Sequence, residues 1–242
     1  VPDDEICGAC FVVAVQVGEF RREYQKWLPL RPTPNLLVLV PLDPDADADE
    51  LWKAAQPIRA SDTSALRWHR SFTRCTSPDE FRTALHRTQK IPAREEYTVT
   101  VVGHGPGFGP KIGVVALQDL HSAAEWGIWI GSRYRKTSAY HEALAITLTE
   151  LFEVRGLHRV QFRIHIGNTA ALAAAEDRAG YIAEGILKQS FREADGSYAD
   201  EKVFGLLEQQ WAVVKPVLLT AMLYPRMAFP DEMSSIGGGC ST

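Results

Sequence analysis

The chain has 242 residues, 45% of them hydrophobic and 23% charged, which suits one large or two small globular domains and is not the composition of a disordered protein. Its net charge of −4 gives no general electrostatic reason to bind nucleic acid, and no stretch has the length and purity of a transmembrane helix. A soluble cytoplasmic protein with neither nucleic-acid nor membrane partners is therefore expected. Cys7, Cys10, Cys75 and Cys240 make no dense disulfide framework, and Cys7/Cys10 lack a second ligand pair at zinc spacing, so reduced thiols and no metal are expected.

Residues 1–34 read as an N-terminal extension. They open with an acidic tip and pass through the apolar run Phe11–Val17, an added strand or packing arm that is too short for a membrane span. Pro29, Pro32 and Pro34 then form a connector. Residues 35–211 read as the main domain. Asn35–Pro41 is its first strand, and Asp43–Asp49 supplies the start of a helix that continues through Leu51, Trp52, Ala54 and Ala55. A calcium loop over Asp45, Asp47, Asp49 and Glu50 is disfavoured because the motif's glycine and distal glutamate are missing. Residues 57–76 are irregular, with Trp68 and Phe72 as anchors over a cleft. Ser77-Pro78-Asp79-Glu80 then starts a second helix with Phe81, Ala84 and Leu85 on its buried side.

Glu96–Val102, Lys111–Gln118 and Glu125–Gly131 read as three strands in an antiparallel meander. The glycine-rich stretch Gly103–Pro110 joins the first two as a hairpin turn, since it has neither the ending of a P-loop nor the context of a dinucleotide fingerprint. After the third strand comes Ser132-Arg133-Tyr134-Arg135-Lys136-Thr137-Ser138, and Leu144, Leu148, Leu151 and Phe152 then fall at helical spacing. A strand thus feeds a basic, hydroxyl-rich loop into a helix N-terminus, where free N–H groups and the helix dipole favour an anion. In outline this is a phosphate site.

The helix over 137–155 is long enough for a crossover, which makes a parallel pairing of its flanking strands reasonable. Arg159–Ile166 alternates cleanly, with Val160, Phe162, Ile164 and Ile166 on one side. Asn168 or Thr169 caps an alanine-rich helix that stops at Gly180, and Tyr181–Phe191 and Lys202–Leu207 supply the last two strands. Residues 212–242 form an apolar segment that packs on the domain or on a second subunit, leaving a homodimer open, followed by a tail that reads as flexible.

The order strand, two helices, three strands, helix, strand, helix, two strands resembles the GNAT acyl-CoA N-acetyltransferases. The wording of residues 110–211 is similar to their RimJ/RimL branch. The resemblance is carried by Trp126-Gly127-Ile128-Trp129-Ile130-Gly131, Tyr134-Arg135 with Glu142-Ala143-Leu144, Gly156–Val160, Asn168-Thr169-Ala170 and Ala179–Gly185. It implies an α/β (α+β) GNAT fold: a mixed, mostly antiparallel sheet splayed at the acyl-CoA cleft, with helices on both faces. It also implies acetyl-CoA as cosubstrate and a primary amine, on a small molecule or a protein N-terminus, as acceptor.

On this resemblance Glu125 is the candidate base, and the backbone amides of Trp129 and Ile130 polarise the thioester. Arg135, Lys136, Thr137 and Ser138 hold the pyrophosphate, and Asn168 contacts the pantetheine arm while capping its helix. Tyr198 and His165 are weaker proton carriers, more simply a sheet-packed tyrosine and a solvent-facing histidine. Two residues depart from the family pattern. Tyr140 replaces a small residue and must point away from the pyrophosphate or obstruct it, and Ala171 stands where a serine is common. Two alternatives accompany the main reading: a GNAT-fold binding or regulatory protein with impaired catalysis, and an acetyltransferase of a secondary-metabolite amine.

Overall fold

A computed structural model describes residues 37–57, 64–102, 108–119, 123–134, 139–178 and 181–223. The run Phe11–Val17 and Cys7, Cys10 and Cys240 lie outside the described residues, whereas Cys75 is a free thiol. Among the described residues no group of side chains could hold a metal ion, and no helix is long and apolar enough to cross a membrane.

Strand β1 (Leu37–Pro41) leads into helix α1 (Pro44–Ala55), whose start follows directly from the acidic run. Asp43 Oδ1 accepts from the N–H groups of Asp45 at 2.9 Å and Ala46 at 3.3 Å, and Asp47 Oδ2 accepts from Asp43 N–H at 2.9 Å in return. Asp47 and Glu50 also clamp Lys111 on the sheet, with Lys111 Nζ 3.0 Å from Asp47 Oδ1. The acidic run is therefore a helix cap and a docking contact. Helix α2 (Pro78–Thr88) starts in the same way: Ser77 Oγ accepts from Glu80 N–H at 3.2 Å while Glu80 reaches back to Thr76 N–H at 2.7 Å.

Strands β2 (Arg94–Val102), β3 (Phe108–Asp119) and β4 (Ala123–Ile130) form the expected antiparallel meander. Helix α3 (Ala139–Thr149) runs into a π-helical turn over Glu150–Val154. It ends at Gly156, whose φ of +64° suits a residue without a Cβ, and Leu157 N–H folds back onto Leu151 O at 3.0 Å. Strand β5 (Arg159–His165), helix α4 (Thr169–Arg178), strands β6 (Ile182–Arg192) and β7 (Tyr198–Leu207) and helix α5 (Glu208–Leu223) complete the order.

The seven strands lie in the order β1-β2-β3-β4-β5-β7-β6, antiparallel throughout except for the parallel pair β4–β5. One face carries the larger core, in which Trp126, Val160, Phe162, Ile164 and Phe204 pack against Leu144, Leu148 and Leu151 of the α3 segment and Trp211, Val214 and Leu218 of α5. The apolar segment after residue 211 thus packs, at least as far as Leu218, on its own domain. The opposite face carries a smaller core of Val114 and Trp129 under α1, α2 and a short 3-10 turn, Ala65–Trp68.

Three residues differ from expectation. Ile166 does not continue the apolar side of β5: the strand ends at His165, and Ile166 is 45% exposed with its N–H on Asp200 O at 3.1 Å. His165 is buried rather than solvent-facing, and Tyr198 is exposed rather than packed.

Candidate active site

The β4–β5 pairing is short. It runs Ala123↔Arg159, Ala124↔Val160, Glu125↔Gln161 and stops, while β4 continues to Ile130 and β5 to His165. Beyond Glu125 the two strands part, so each leaves one edge of backbone N–H and C=O groups facing a gap. The register with β3 shows which groups these are. Gly131 N–H donates to Ile112 O at 2.7 Å, continuing a regular ladder through Gly113↔Ile130 and Val114↔Trp129. Successive residues of a strand turn their N–H groups to opposite sides, so the Gly131 and Trp129 amides point at β3 and those of Ile130 and Ile128 point into the gap. Of the Trp129/Ile130 pair expected from the sequence, Ile130 faces the gap, with Ile128 beside it. Gly131 also fixes the mouth of the fork: a Cβ there would collide with the Ala54 carbonyl, so only glycine lets the end of β4 pass this close to α1.

Glu125 sits at the last paired position, on the same face as Gly127 and Trp129. Its Oε2 accepts from Arg163 Nε at 3.0 Å, from Arg163 Nη2, and from Gln161 Nε2 at 3.4 Å, whereas no described residue bonds Oε1. The carboxylate is gripped by one oxygen and open at the other. Arg70, in the irregular stretch after the 3-10 turn, bonds Glu201 of β7 through Nε at 3.2 Å and through Nη2, and Ser190 Oγ adds a bond to Glu201 at 2.7 Å. Glu201 faces His165 across the β5–β7 ladder, two residues beyond Arg163 on the same face. Burial lowers the pKa of Arg70, the Arg163 guanidinium lowers it further, and the Glu125 carboxylate partly offsets both. Two guanidinium–carboxylate pairs thus share one polar floor.

The rest of the floor is aromatic or open. Trp68 packs on His165 with ring centroids 4.9 Å apart, placing it beside the fork as the sequence suggested, whereas Phe72 is fully buried in the smaller core. His165 Nδ1 accepts from Gly167 N–H at 2.9 Å, so its Nε2 carries the proton directed at Glu193 Oε1, 2.8 Å away. Both ring nitrogens are engaged. A Cβ built on Gly127 would meet nothing within 4 Å, which marks free space between Glu125 and Trp129. The indole Nε1 atoms of Trp126 and Trp129 and the Tyr181 hydroxyl are buried with no hydrogen-bond partner among the described residues, which leaves donors on both faces of β4 unmatched there.

Asn168 caps α4, with Oδ1 accepting from Ala171 N–H at 3.4 Å and its carbonyl from Leu172 N–H at 3.0 Å. Arg135, Lys136, Thr137 and Ser138 lie outside the described residues; the described α3 begins at Ala139. Tyr140 packs its ring against the larger core and edge-on to His141 at 5.5 Å, and burial pushes its hydroxyl up to about 12. Tyr198 is 59% exposed at the start of β7. Sequence reasoning missed Arg163, Arg70 and Glu201. Arg163 could have been found from its alternation with Gln161 and His165 on the polar side of β5, but Arg70 and Glu201 are 131 residues apart and carry no local signal.

Two other buried groups titrate unusually. Burial raises Glu142, on the first turn of α3, to about 7 against the opposing hydrogen bond from Leu37 N–H at 2.7 Å. Burial, then Arg94 and Arg70, lowers His69 to about 3.

This combination of a mostly antiparallel sheet, one parallel pair and a fork at its centre is the architecture of an acyl-transfer fold. The family model described as "Acetyltransferase (GNAT) domain" matches residues 37–181, and the chain belongs to the GNAT acetyltransferases, a family that uses acetyl-CoA and an amine acceptor. No curated protein matches. Among solved structures, a GCN5-related N-acetyltransferase from Brucella melitensis is similar at 23% identity and a TM-score of 0.65, over 80% of this chain and 87% of that one. A GNAT-family protein from Chromobacterium violaceum ATCC 12472 is similar at 24% identity and a TM-score of 0.62, over 76% and 91%. A spermidine N-acetyltransferase chimera of Vibrio cholerae and hSSAT is similar at 19% identity and a TM-score of 0.53, over 73% and 98%. At these identities the likeness is one of fold.

Proposed function

We propose that the chain transfers the acetyl group of acetyl-CoA directly to a primary amine, and that Glu125 is the base. The observation that carries this reading is the fork itself: the β4–β5 ladder stops at Glu125, whose Oε2 is held by Arg163 while Oε1 is open. The gap suits acetyl-CoA because β4 turns unpaired main-chain groups into it and the flanking Trp126 and Trp129 indoles have unmatched N–H donors. When bound, acetyl-CoA supplies an activated acyl carbon: the amine nitrogen forms a bond to it, the carbon–sulfur bond breaks, and an amide and free thiol result.

The chain's own groups do the rest. Glu125 Oε1 takes one proton of the incoming ammonium directly or through one water, Arg163 fixes its direction, and the second proton lost by the nitrogen passes to the departing sulfur, which leaves as the thiol. The Ile128 and Ile130 N–H groups stand where charge develops on the thioester oxygen. The loop over Arg135, Lys136, Thr137 and Ser138 seats the pyrophosphate at the entry to α3, and the Asn168 side-chain N–H₂, which bonds no described residue, meets the pantetheine arm. The packing of Tyr140 on the core supports an unobstructed loop. The motifs from Trp126 to Gly131 and from Asn168 to Ala170 support a RimJ/RimL-like branch.

Acetyl-CoA should raise the melting temperature, and acetyl-CoA plus an amine panel should release free thiol. No shift at millimolar acetyl-CoA together with no thiol release would refute the reading.

A further inference from the structure

Resting on that reading, we infer that the acceptor is an amine bearing a carboxylate close to its nitrogen, an amino-acid-like zwitterion rather than a polyamine. The two arginines on the floor of the fork are each used along one side only. Arg163 spends Nε and Nη2 on Glu125, Arg70 spends Nε and Nη2 on Glu201, and neither Nη1 bonds a described residue. Two guanidinium Nη1 groups with free donors are thus presented on the floor that also holds the open Oε1 of Glu125. Arg70 is fixed by a carboxylate that is itself 4% exposed and anchored by Ser190, so its free edge is presented rigidly.

The charges decide the class of guest. Two guanidinium groups and the two carboxylates they bond cancel, and the third carboxylate beside them, Glu193, is taken up by His165 Nε2, with the cationic donors and the free Glu125 oxygen separated in space. A zwitterion matches that pattern: its ammonium approaches Glu125 Oε1 and its carboxylate accepts from the Nη1 groups, a charge-assisted contact that arginine makes well. A polyamine would set several positive charges against two guanidinium groups and leave their Nη1 donors unmatched, which disfavours it on both counts. The free space at Gly127 lies on the same face as Glu125 and admits the acceptor's body. The covalent step is unchanged: nitrogen–carbon forms, carbon–sulfur breaks, one nitrogen proton leaves through Glu125 and the other ends on the departing thiol.

The test pairs amino acids with their decarboxylated amines, and adds spermidine, in two measurements on the full chain: thiol release with acetyl-CoA, and calorimetric titration of each acceptor into protein saturated with CoA. The expected result is a preference of at least tenfold in kcat/KM for carboxylated members, with calorimetric binding of those members alone. Arg70→Lys keeps a charge opposite Glu201 but lacks the second guanidinium edge, and it should cut the preference ratio about tenfold. The double variant Arg70→Gln with Glu201→Gln removes the pair without stranding a charge and should do the same. Equal or better use of decarboxylated amines or spermidine, or an unaltered ratio in both variants, would overturn the inference while leaving acetyl transfer standing. Binding of amino acids with no turnover of any amine would support the acceptor class and overturn the transferase reading.

Discussion

The two faces of the sheet at β4 and β5 are built from alternate residues of the same strands and do opposite work. On one, Phe162 is surrounded by aromatic rings, with Trp126 at 5.1 Å, Tyr181 at 4.5 Å and Phe204 at 5.2 Å. On the other, Glu125, Gln161 and Arg163 are only partly buried and bind each other. A period of two lets one strand hold a dry core and a polar floor back to back, so the core can fix the fork's geometry without constraining its chemistry. Changes on the first face should therefore cost stability, and changes on the second should cost function.

The largest stability effect is expected for Phe162→Ala, which opens a cavity among three rings and should cost about 3–5 kcal/mol in urea unfolding. A loss under about 1 kcal/mol would mean the fork is not braced by that core. Next is Glu142, whose folded pKa of about 7 stands above its ordinary 4.5. Its contribution is full below about pH 4.5 and is lost as pH rises through 7, so Glu142→Gln, which still accepts from Leu37, should gain on the wild type by roughly 2–3 kcal/mol between pH 5 and 8. Parallel melting curves of the two proteins across that range would contradict it.

His69 titrates in the reverse sense. With its folded pKa near 3 against an ordinary 6.5, its contribution is full above about pH 6.5 and falls as pH drops toward 3. His69→Phe, stacked on Phe72 as the imidazole is, should remove about 1 kcal/mol of acid sensitivity at pH 5.5, read as a flatter melting-temperature profile. Gly127→Val should change stability least, because its Cβ enters open space and β-branched residues suit strands. Its signature is functional: acceptor KM should rise about tenfold while the melting temperature holds, and an unchanged KM would place the acceptor elsewhere.

The local grammar of the chain was readable where it was short-range. The caps at Asp43 and Ser77, the alternation read along Arg159–Ile166 and the helical spacing after Ser138 were local signals, and with them came seven strands in chain order and a crossover suited to a parallel β4–β5 pair; the placing of β7 between β5 and β6 was not among them. Glu125 could be nominated from the family resemblance as the residue expected to open the strand, although it is the third residue of β4 and not its first. That its partner is Arg163 depends on the register of two strands 38 residues apart, and that Arg70 meets Glu201 depends on how an irregular loop drapes across the sheet. Neither distance leaves a periodic trace. The orientation of the Trp129 and Ile130 amides likewise depends on which side of β4 pairs with β3, a property of the ladder and not of the residues themselves.

The central claim is that the fork at Glu125 performs acetyl transfer, and the most direct measurement is the turnover of Glu125→Gln beside the wild type. The account predicts a kcat lower by at least a hundredfold, with the melting-temperature rise on adding acetyl-CoA preserved. A kcat within tenfold of the wild type, at the same acetyl-CoA-induced shift, would show that the proton leaves by another route.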